Sequence, residues 1–244
     1  MIRLRSVLVD FDRPVLRGVD LHVPRGCLYG LVGPGASGKT VTLKVIAGLL
    51  RPSGGTVVVS GADVLALGGV ALAEHRKGIG MVFQNNALFD HMTVFDNVAF
   101  PLRRLLRLDE AEIEQRVLER LQRVGLGAFA DRLPAGLSGG QKRRVGIARA
   151  TVTAPPLVLY DEPAAGLDPV TSQRIFELLR AEQRRARSTA IMVSSDIDRL
   201  LTVTDRVGMM LDGALVFDGT TEEATRSEDP LVRQFLRGEV DGPL

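Results

Sequence analysis

The 244-residue chain has no tryptophan, two tyrosines, one cysteine and three histidines. Cys27, being alone, closes no intrachain disulfide. His22, His75 and His91 stand at no metal-ligand spacing, which argues against a structural metal centre. The shortage of stacking aromatics and the lack of an arginine–lysine tract argue against a nucleic-acid binder, and the net charge is only +2. No apolar run approaches the ~18 residues of a membrane span. The amino end, MIRLRSVLVDFD, is charged too early and too often for a secretory signal. Internal repeats and low-complexity linkers are missing too. These absences leave a cytoplasmic globular protein as the default. With 45% hydrophobic and 25% charged residues the chain has material for a large core. A mean hydropathy of +0.12 is high enough to suggest a partner surface.

The strand LYGLV, Leu28 to Val32, runs into GPGASGKT and then an apolar helical run. This is GxxxxGK[ST] in its confirming context, strand before and helix after. Gly33, Pro34, Gly35, Ala36, Ser37 and Gly38 are expected to wrap the backbone around phosphates, with N–H groups from every residue but the proline. Lys39 would reach the β- and γ-phosphates of ATP, and Thr40 would hold Mg²⁺. The helix VTLKVIAGLL is expected to end at Arg51-Pro52, because proline cannot continue it.

A second apolar strand, LVLYDE, ends in two carboxylates. Unpaired charges beside a core are costly, so a buried strand needs a reason to end this way. Asp161 would bind Mg²⁺ through water, and Glu162 would act as general base on the attacking water. Alone, the pair reads equally well as helix N-caps; beside a phosphate loop the functional reading prevails. A third signal is LSGGQ, Leu137 to Gln141, opening the helix KRRVGIARAT. Ser138 is a suitable N-cap, and the glycines that follow leave N–H groups exposed, so this is a second anion-binding helix terminus.

The LSGGQ pentad between a phosphate loop and an acidic strand resembles the signature of ABC-type ATPases, and the resemblance covers nearly the whole chain. It implies an α/β P-loop NTPase, an ABC-type nucleotide-binding domain. Such a domain has a RecA-like core, an antiparallel β subdomain and an inserted α-helical subdomain. By the resemblance, Phe11 stacks on adenine and Gln84, in MVFQ, touches Mg²⁺ and relays to a membrane partner. Ala165-Gly166-Leu167-Asp168 resembles the family's D-loop, with Asp168 as its acidic residue. Two copies would meet head to tail, with Ser138, Gly139, Gly140 and Gln141 of one covering the γ-phosphate held by Lys39 of the other. In this family the strand TAIMV is usually followed by Ser-His-Asp or Thr-His-Asp, whose histidine contacts the γ-phosphate. Here the residues are Ser194, Ser195 and Asp196. A hydroxyl donates one hydrogen bond over a shorter reach and cannot become cationic. Ser195 is therefore an active-site position by resemblance, and either a tolerated substitution or a brake on turnover.

Residues 1 to about 30 alternate in short runs and read as a small antiparallel sheet, which Thr56–Ser60 joins. Residues ~85–155 read as the helical insertion. Its helix at ~110–123 has Ile113, Val117, Leu121 and Val124 on one face, Asp109 as N-cap and Gly125 as stop. One ATPase domain is expected over 1–238, followed by a short tail, 239–244. Asp229 to Leu236 reads as a terminal helix, either folded back or touching a second copy. The apolar stretch Asn85 to Arg104 either packs the helical part or, at Leu88 and Phe89, touches a partner; the family places there the groove for a helix of the permease. QNNALFDHMTVFDNVAFPLR, YDEPAAGLDPVTS and DPLVRQFLRG are similar to the ATPase of Mla/Mce-type lipid transporters. Asn85-Asn86, Gln141 and Ser195 depart from that pattern. The resemblance implies ATP and Mg²⁺, a membrane-spanning permease and, indirectly, a lipid-binding MCE-type subunit. It implies a peripheral location on the cytoplasmic face of the inner membrane. A slow ATP-dependent clamp on the same complex is the alternative. A soluble ABC protein acting on ribosomes or DNA is disfavoured by the single phosphate loop.

Overall fold

In the computed structural model, which describes residues 1–85 and 87–244, the chain begins with β1 (Ile2–Asp10), β2 (Pro14–Val23), β3 (Leu28–Val32) and α1 (Lys39–Ile46). It continues through β4 (Gly54–Val59), β5 (Ala62–Asp63), α2 (Gly69–Lys77), β6 (Ile79–Val82), α3 (Val94–Leu105), α4 (Glu110–Arg123) and α5 (Gly139–Thr151). The last part holds β7 (Leu157–Asp161), α6 (Pro169–Ala186), β8 (Thr189–Val193), α7 (Ile197–Val203), β9 (Arg206–Leu211), β10 (Ala214–Thr220), α8 (Thr221–Thr225) and α9 (Pro230–Arg237). Asn86, one of the departures from the lipid-transporter pattern, lies outside the described residues.

The strands form two sheets. The four-stranded sheet, order β2-β1-β4-β5, is antiparallel, as the alternation along residues 2–23 and 56–60 requires. The six-stranded sheet has the order β10-β9-β3-β8-β7-β6. Its five central and edge strands β9, β3, β8, β7 and β6 run parallel, and only β10 is antiparallel. β3, β7 and β8 are buried at every position, which is why they read as unbroken apolar runs. One core cluster lies between the sheets and joins Val7, Leu21 and Val57 to Leu31, Leu159 and Ile191, with Leu43 and Ile46 of α1. A second covers the other face of the six-stranded sheet with Ile175, Phe176, Leu200 and Val232. The third joins α3, α4 and α5 through Val98, Leu102, Ile113, Val117, Leu121 and Val145.

Helix ends follow local chemistry. Asp109 accepts the Glu112 N–H at 2.8 Å to start α4, and Gly125, at φ +68°, follows its end. α1 ends earlier than its sequence suggests. Gly48, at φ +65°, sends its N–H to Val45 O at 3.0 Å, while Leu49 N–H reaches Lys44 O at 2.8 Å. This left-handed glycine terminates the helix four residues before Pro52 could do so. α9 folds back on the chain's own second cluster through Val232 and its partly buried neighbours Leu231, Phe235 and Leu236. Among the described residues no helix is long and apolar enough to cross a membrane.

Candidate active site

Strand register assembles the site. Leu31 of β3 is level with Val193 of β8, and Val193 is level with Asp161 of β7. One or two residues past these, the phosphate loop, Glu162 and Ser195 all emerge at the same carboxyl edge of a parallel sheet. That edge is where open α/β sheets place ligands. Val82 of β6 pairs with Tyr160, so Gln84 emerges on the same edge.

The loop is built as an anion cradle. Ala36 (φ +61°) and Gly38 (φ +99°) take left-handed backbone, turning successive N–H groups to one side. A Cβ at Gly38 would stand 2.6 Å from Leu16 Cδ2, so only glycine lets the loop lie against β2. Lys39 Nζ donates to Gly33 O at 2.8 Å and Pro34 O at 2.7 Å. Burial lowers its pKa, with the Glu162 and Asp161 carboxylates pulling it back up. Beside the loop lies a cavity of about 430 Å³. Arg13, Val15 and Arg17 line it from β2 and the turn before it, and Asp212 and Gly213 from the β9–β10 turn. Arg17 N–H donates to Gly213 O at 2.8 Å, tying the turn to β2. The sequence reading missed both arginines, although their spacing (13, 15, 17) is the period-2 signal of one strand face. Phe11 sits at the tip of the β1–β2 hairpin, 59% exposed and outside the cavity lining.

Thr40 Oγ1 donates to Asp161 Oδ1 at 3.0 Å, bringing together the two residues expected at a metal. Hard oxygens at this spacing, one a carboxylate only 5% exposed, are the donor chemistry that Mg²⁺ takes. Burial pushes the Asp161 carboxyl above the ordinary carboxylate range, with the Thr40 hydrogen bond and the Lys44 and Lys39 charges opposing. A raised folded-state value means that ionising Asp161 costs stability. The cost is absent below the unfolded value of about 3.9, grows as pH rises to the folded value and is constant above it. Asp161→Asn keeps a Thr40 partner and removes the cost. Thermal melts of the nucleotide-free protein at neutral pH are expected to rise. At pH 3 the difference between variant and wild type should vanish.

Glu162 follows β7 in left-handed backbone, φ +49°, with its N–H donated to Val193 O at 3.0 Å. Non-glycine residues pay for this conformation, and such strain concentrates at working sites. Its Oε2 accepts two hydrogen bonds from Ser195, one from N–H at 3.1 Å and one from Oγ at 3.2 Å. The flanking residues face the other way. Ser194 Oγ accepts Asp196 N–H at 3.1 Å, and Asp196 caps α7 and pairs with Arg199. Ser195 alone of the triplet is exposed. It is therefore not an ordinary turn serine, because its hydroxyl is spent on the candidate base.

Ser138 caps α5 by accepting the Gln141 N–H at 3.3 Å, and Gln141 Oε1 accepts Ser138 N–H at 2.8 Å. This capping box leaves the glycines between them at the open helix end. None of Ser138, Gly139, Gly140 or Gln141 lines the cavity beside Lys39. Asp168 caps α6, accepting Val170 N–H at 3.0 Å and Thr171 N–H at 2.9 Å. Hydrogen bonding to Thr171, then to Val170, holds its carboxyl below the ordinary range.

The apolar stretch after Gln84 divides in two. Val94 and Val98 are fully buried, and Leu88 packs on the helical cluster. Phe89 instead lines an open groove of about 430 Å³ with Met81, Phe83, Phe100, Pro101 and Leu105. The Phe89 and Phe100 ring centroids are 4.9 Å apart. Asn97, fully buried, shapes this wall. It accepts Phe89 N–H at 2.9 Å and donates to the carbonyls of Phe89, Met92 and Thr93 at 3.1, 3.1 and 2.9 Å. Asn97→Leu would leave the part-buried Phe89 N–H and Met92 O without this partner. Denaturant unfolding is expected to show a loss of about 3 kcal/mol.

Comparison with known proteins sharpens the reading. The family described as "ABC transporter" matches residues 16–165. The intermembrane phospholipid transport system ATP-binding protein MlaF of Haemophilus influenzae is 40% identical over 233 residues, covering 96% of this chain and 88% of its own length. The probable ribonucleotide transport ATP-binding protein mkl of Mycobacterium leprae is 40% identical over 226 residues, of which the chain spans 65% of the mycobacterial protein. The methionine import ATP-binding protein MetN of Caulobacter vibrioides is 41% identical over 232 residues, 95% of this chain and 69% of that one. Among solved structures, a dimeric post-hydrolysis ATP-binding cassette bound to ADP and Pi superposes with a TM-score of 0.84 at 30% identity, covering 91% of this chain and 99% of that one.

Proposed function

The chain belongs to the ABC transporter family, as an ATP-hydrolysing subunit, and from that premise we propose that the transporter it powers moves phospholipids or related lipids between membranes. The observation that carries the lipid reading is the MlaF match, which runs over 88% of the relative's own length. The names of mkl and MetN give other cargoes at similar identity, so the cargo is the part that needs testing.

We assign the chemistry to this chain's own residues. The loop Gly33–Gly38 and Lys39 bind the phosphates, and Arg13 and Arg17 add positive charge along the cavity. Thr40 and Asp161 would hold Mg²⁺, which when bound offsets phosphate charge. Gln84 supports that position from the neighbouring strand end. Glu162 takes the proton of the attacking water, and Ser195 holds the Glu162 carboxylate in place. The cavity beside Lys39 lacks the Ser138–Gln141 helix end. A second copy of the chain supplies it in this reading, with Asp168 at the same boundary. The groove walled by Phe89 and Phe100 receives a short helix of a membrane-spanning permease, so the chain sits on the cytoplasmic membrane face. A lipid-binding MCE-type subunit would be reached only through that permease. Residues 1–238 act as one ATPase domain, with the helical part at about 85–155 inserted and 239–244 as a tail. A slow clamp is the second reading, and the observation favouring it is the hydroxyl at position 195.

The test is purification of the membrane complex through this chain, followed by reconstitution between donor and acceptor vesicles carrying fluorescent phospholipid. ATP-dependent lipid transfer, lost in Lys39→Ala, supports the reading. A complex that hydrolyses ATP but transfers no lipid, and takes up methionine or nucleotides instead, overturns the cargo.

A further inference from the structure

Arg143 lies one turn into α5, and only 5% of it is exposed. Its partners are all backbone carbonyls. Nη1 donates to Gln84 O at 2.7 Å and Phe83 O at 3.3 Å, and Nη2 to Ala165 O at 3.3 Å. Its Nε is buried without a partner. No ion pair among the described residues includes it. A desolvated cation whose hydrogen bonds all go to carbonyl dipoles, with the Glu162 charge acting on it through space, is an expensive way to fill a core position, and an apolar residue of the same size would pack there more cheaply. What the guanidinium supplies instead is a fork of fixed geometry that reaches two loops at once.

Those loops carry chemistry. One bears Gln84 and follows β6, and the other runs from Glu162 to Asp168 and follows β7. α5 itself begins at the Ser138–Gln141 capping box, the end that addresses a second copy's nucleotide in the reading above. We propose that Arg143 is a positioning residue that locks the Gln84 loop, the Ala165 loop and the signature helix into one geometry. Engagement of the partner's ATP and placement of Gln84 at the chain's own ATP then occur together. Movement of α5 relative to the sheet displaces both loops through one side chain. The inference rests on the ATP-sandwich reading and adds to it a specific link between the two nucleotide sites.

The experiment uses the full-length chain with MgATP and compares Arg143→Met, Arg143→Lys and Gln84→Ala, singly and combined. Arg143→Met is expected to leave the melting temperature nearly unchanged and the ATP Kd within about twofold, because it breaks no ion pair, fills the same space, and leaves the Phe83, Gln84 and Ala165 carbonyls at loop positions that water reaches. Its kcat is expected to fall roughly tenfold or more, and the Hill coefficient for ATP to drop from ~2 toward ~1. Arg143→Lys should recover little, since a point charge cannot bridge two loops. Combined with Gln84→Ala, the losses should not multiply, because both act through one loop. The proposal is overturned if melting temperature, ATP affinity and kcat fall together, if cooperativity survives, or if the two losses multiply. Glu162→Gln in the same assay separates the failures. Turnover surviving in that variant sinks the hydrolysis scheme itself; turnover lost there but intact in Arg143→Met sinks only the link.

Discussion

Glu162→Gln is expected to lower steady-state ATP turnover by roughly 10²–10⁴-fold while leaving ATP affinity unchanged. The amide is isosteric with the carboxylate, so both Ser195 hydrogen bonds have an acceptor oxygen to receive them. What disappears is the capacity to take a proton from water. The backbone supports this separation of roles. Glu162 is held by its own N–H on Val193 O and by left-handed φ, neither of which depends on the side chain's charge. With hydrolysis blocked and binding intact, an ATP-bound dimer should accumulate and elute as twice the mass in size-exclusion chromatography with ATP. A variant that still hydrolyses within threefold of wild type would remove Glu162 from the base role.

Ser195→His is the second large effect, and its sign is opposite. Turnover is expected to rise by about 10–10²-fold. A preorganised donor to developing phosphate charge is worth about 10²–10³ in rate, and water near the short serine recovers part of that in the wild type. The serine hydroxyl is directed at Glu162 Oε2 at 3.2 Å, where it orients the carboxylate. Ser195 N–H makes a second bond to the same oxygen, which any substitution except proline can keep. Histidine therefore adds a longer donor without stripping the carboxylate of its backbone support. Ser195→Ala, as the control, deletes only the hydroxyl bond and should cost a few-fold. If Ser195→His leaves turnover unchanged in the assembled complex, the serine is a tolerated occupant and the clamp reading falls with the brake.

The sequence by itself determined the motifs that are written in contiguous residues. GPGASGKT names its own fold, because the cradle is made by neighbouring N–H groups and needs no distant partner. The strand ending Tyr160-Asp161, with Glu162 just after it, is legible because charge beside an apolar run is costly. The caps Asp109 and Ser138 act within one helical turn, and both start their helices as read. Position 195 was legible as a candidate, since its register with the Ser-His-Asp triplet of the resemblance is a local count. Boundaries set by backbone conformation were less legible. Gly48 stops α1 before Pro52 does, because a left-handed glycine satisfies the last carbonyls first.

Only the tertiary structure decided which of these segments meet. Parallel strands pair residues far apart in the chain, so no periodicity reports that Ser195 faces Glu162. Leu88 and Phe89 are adjacent and equally apolar, yet one packs the helical core and the other walls an open groove. Arg13 and Arg17 carry no site signal in the sequence; the β9–β10 turn and the phosphate loop make their exposed side chains part of the wall of an open cavity. Arg143 reads as one of several basic residues on an ordinary helix. Its role comes from three carbonyls on two distant loops, and packing across the fold brings them within reach of a single guanidinium.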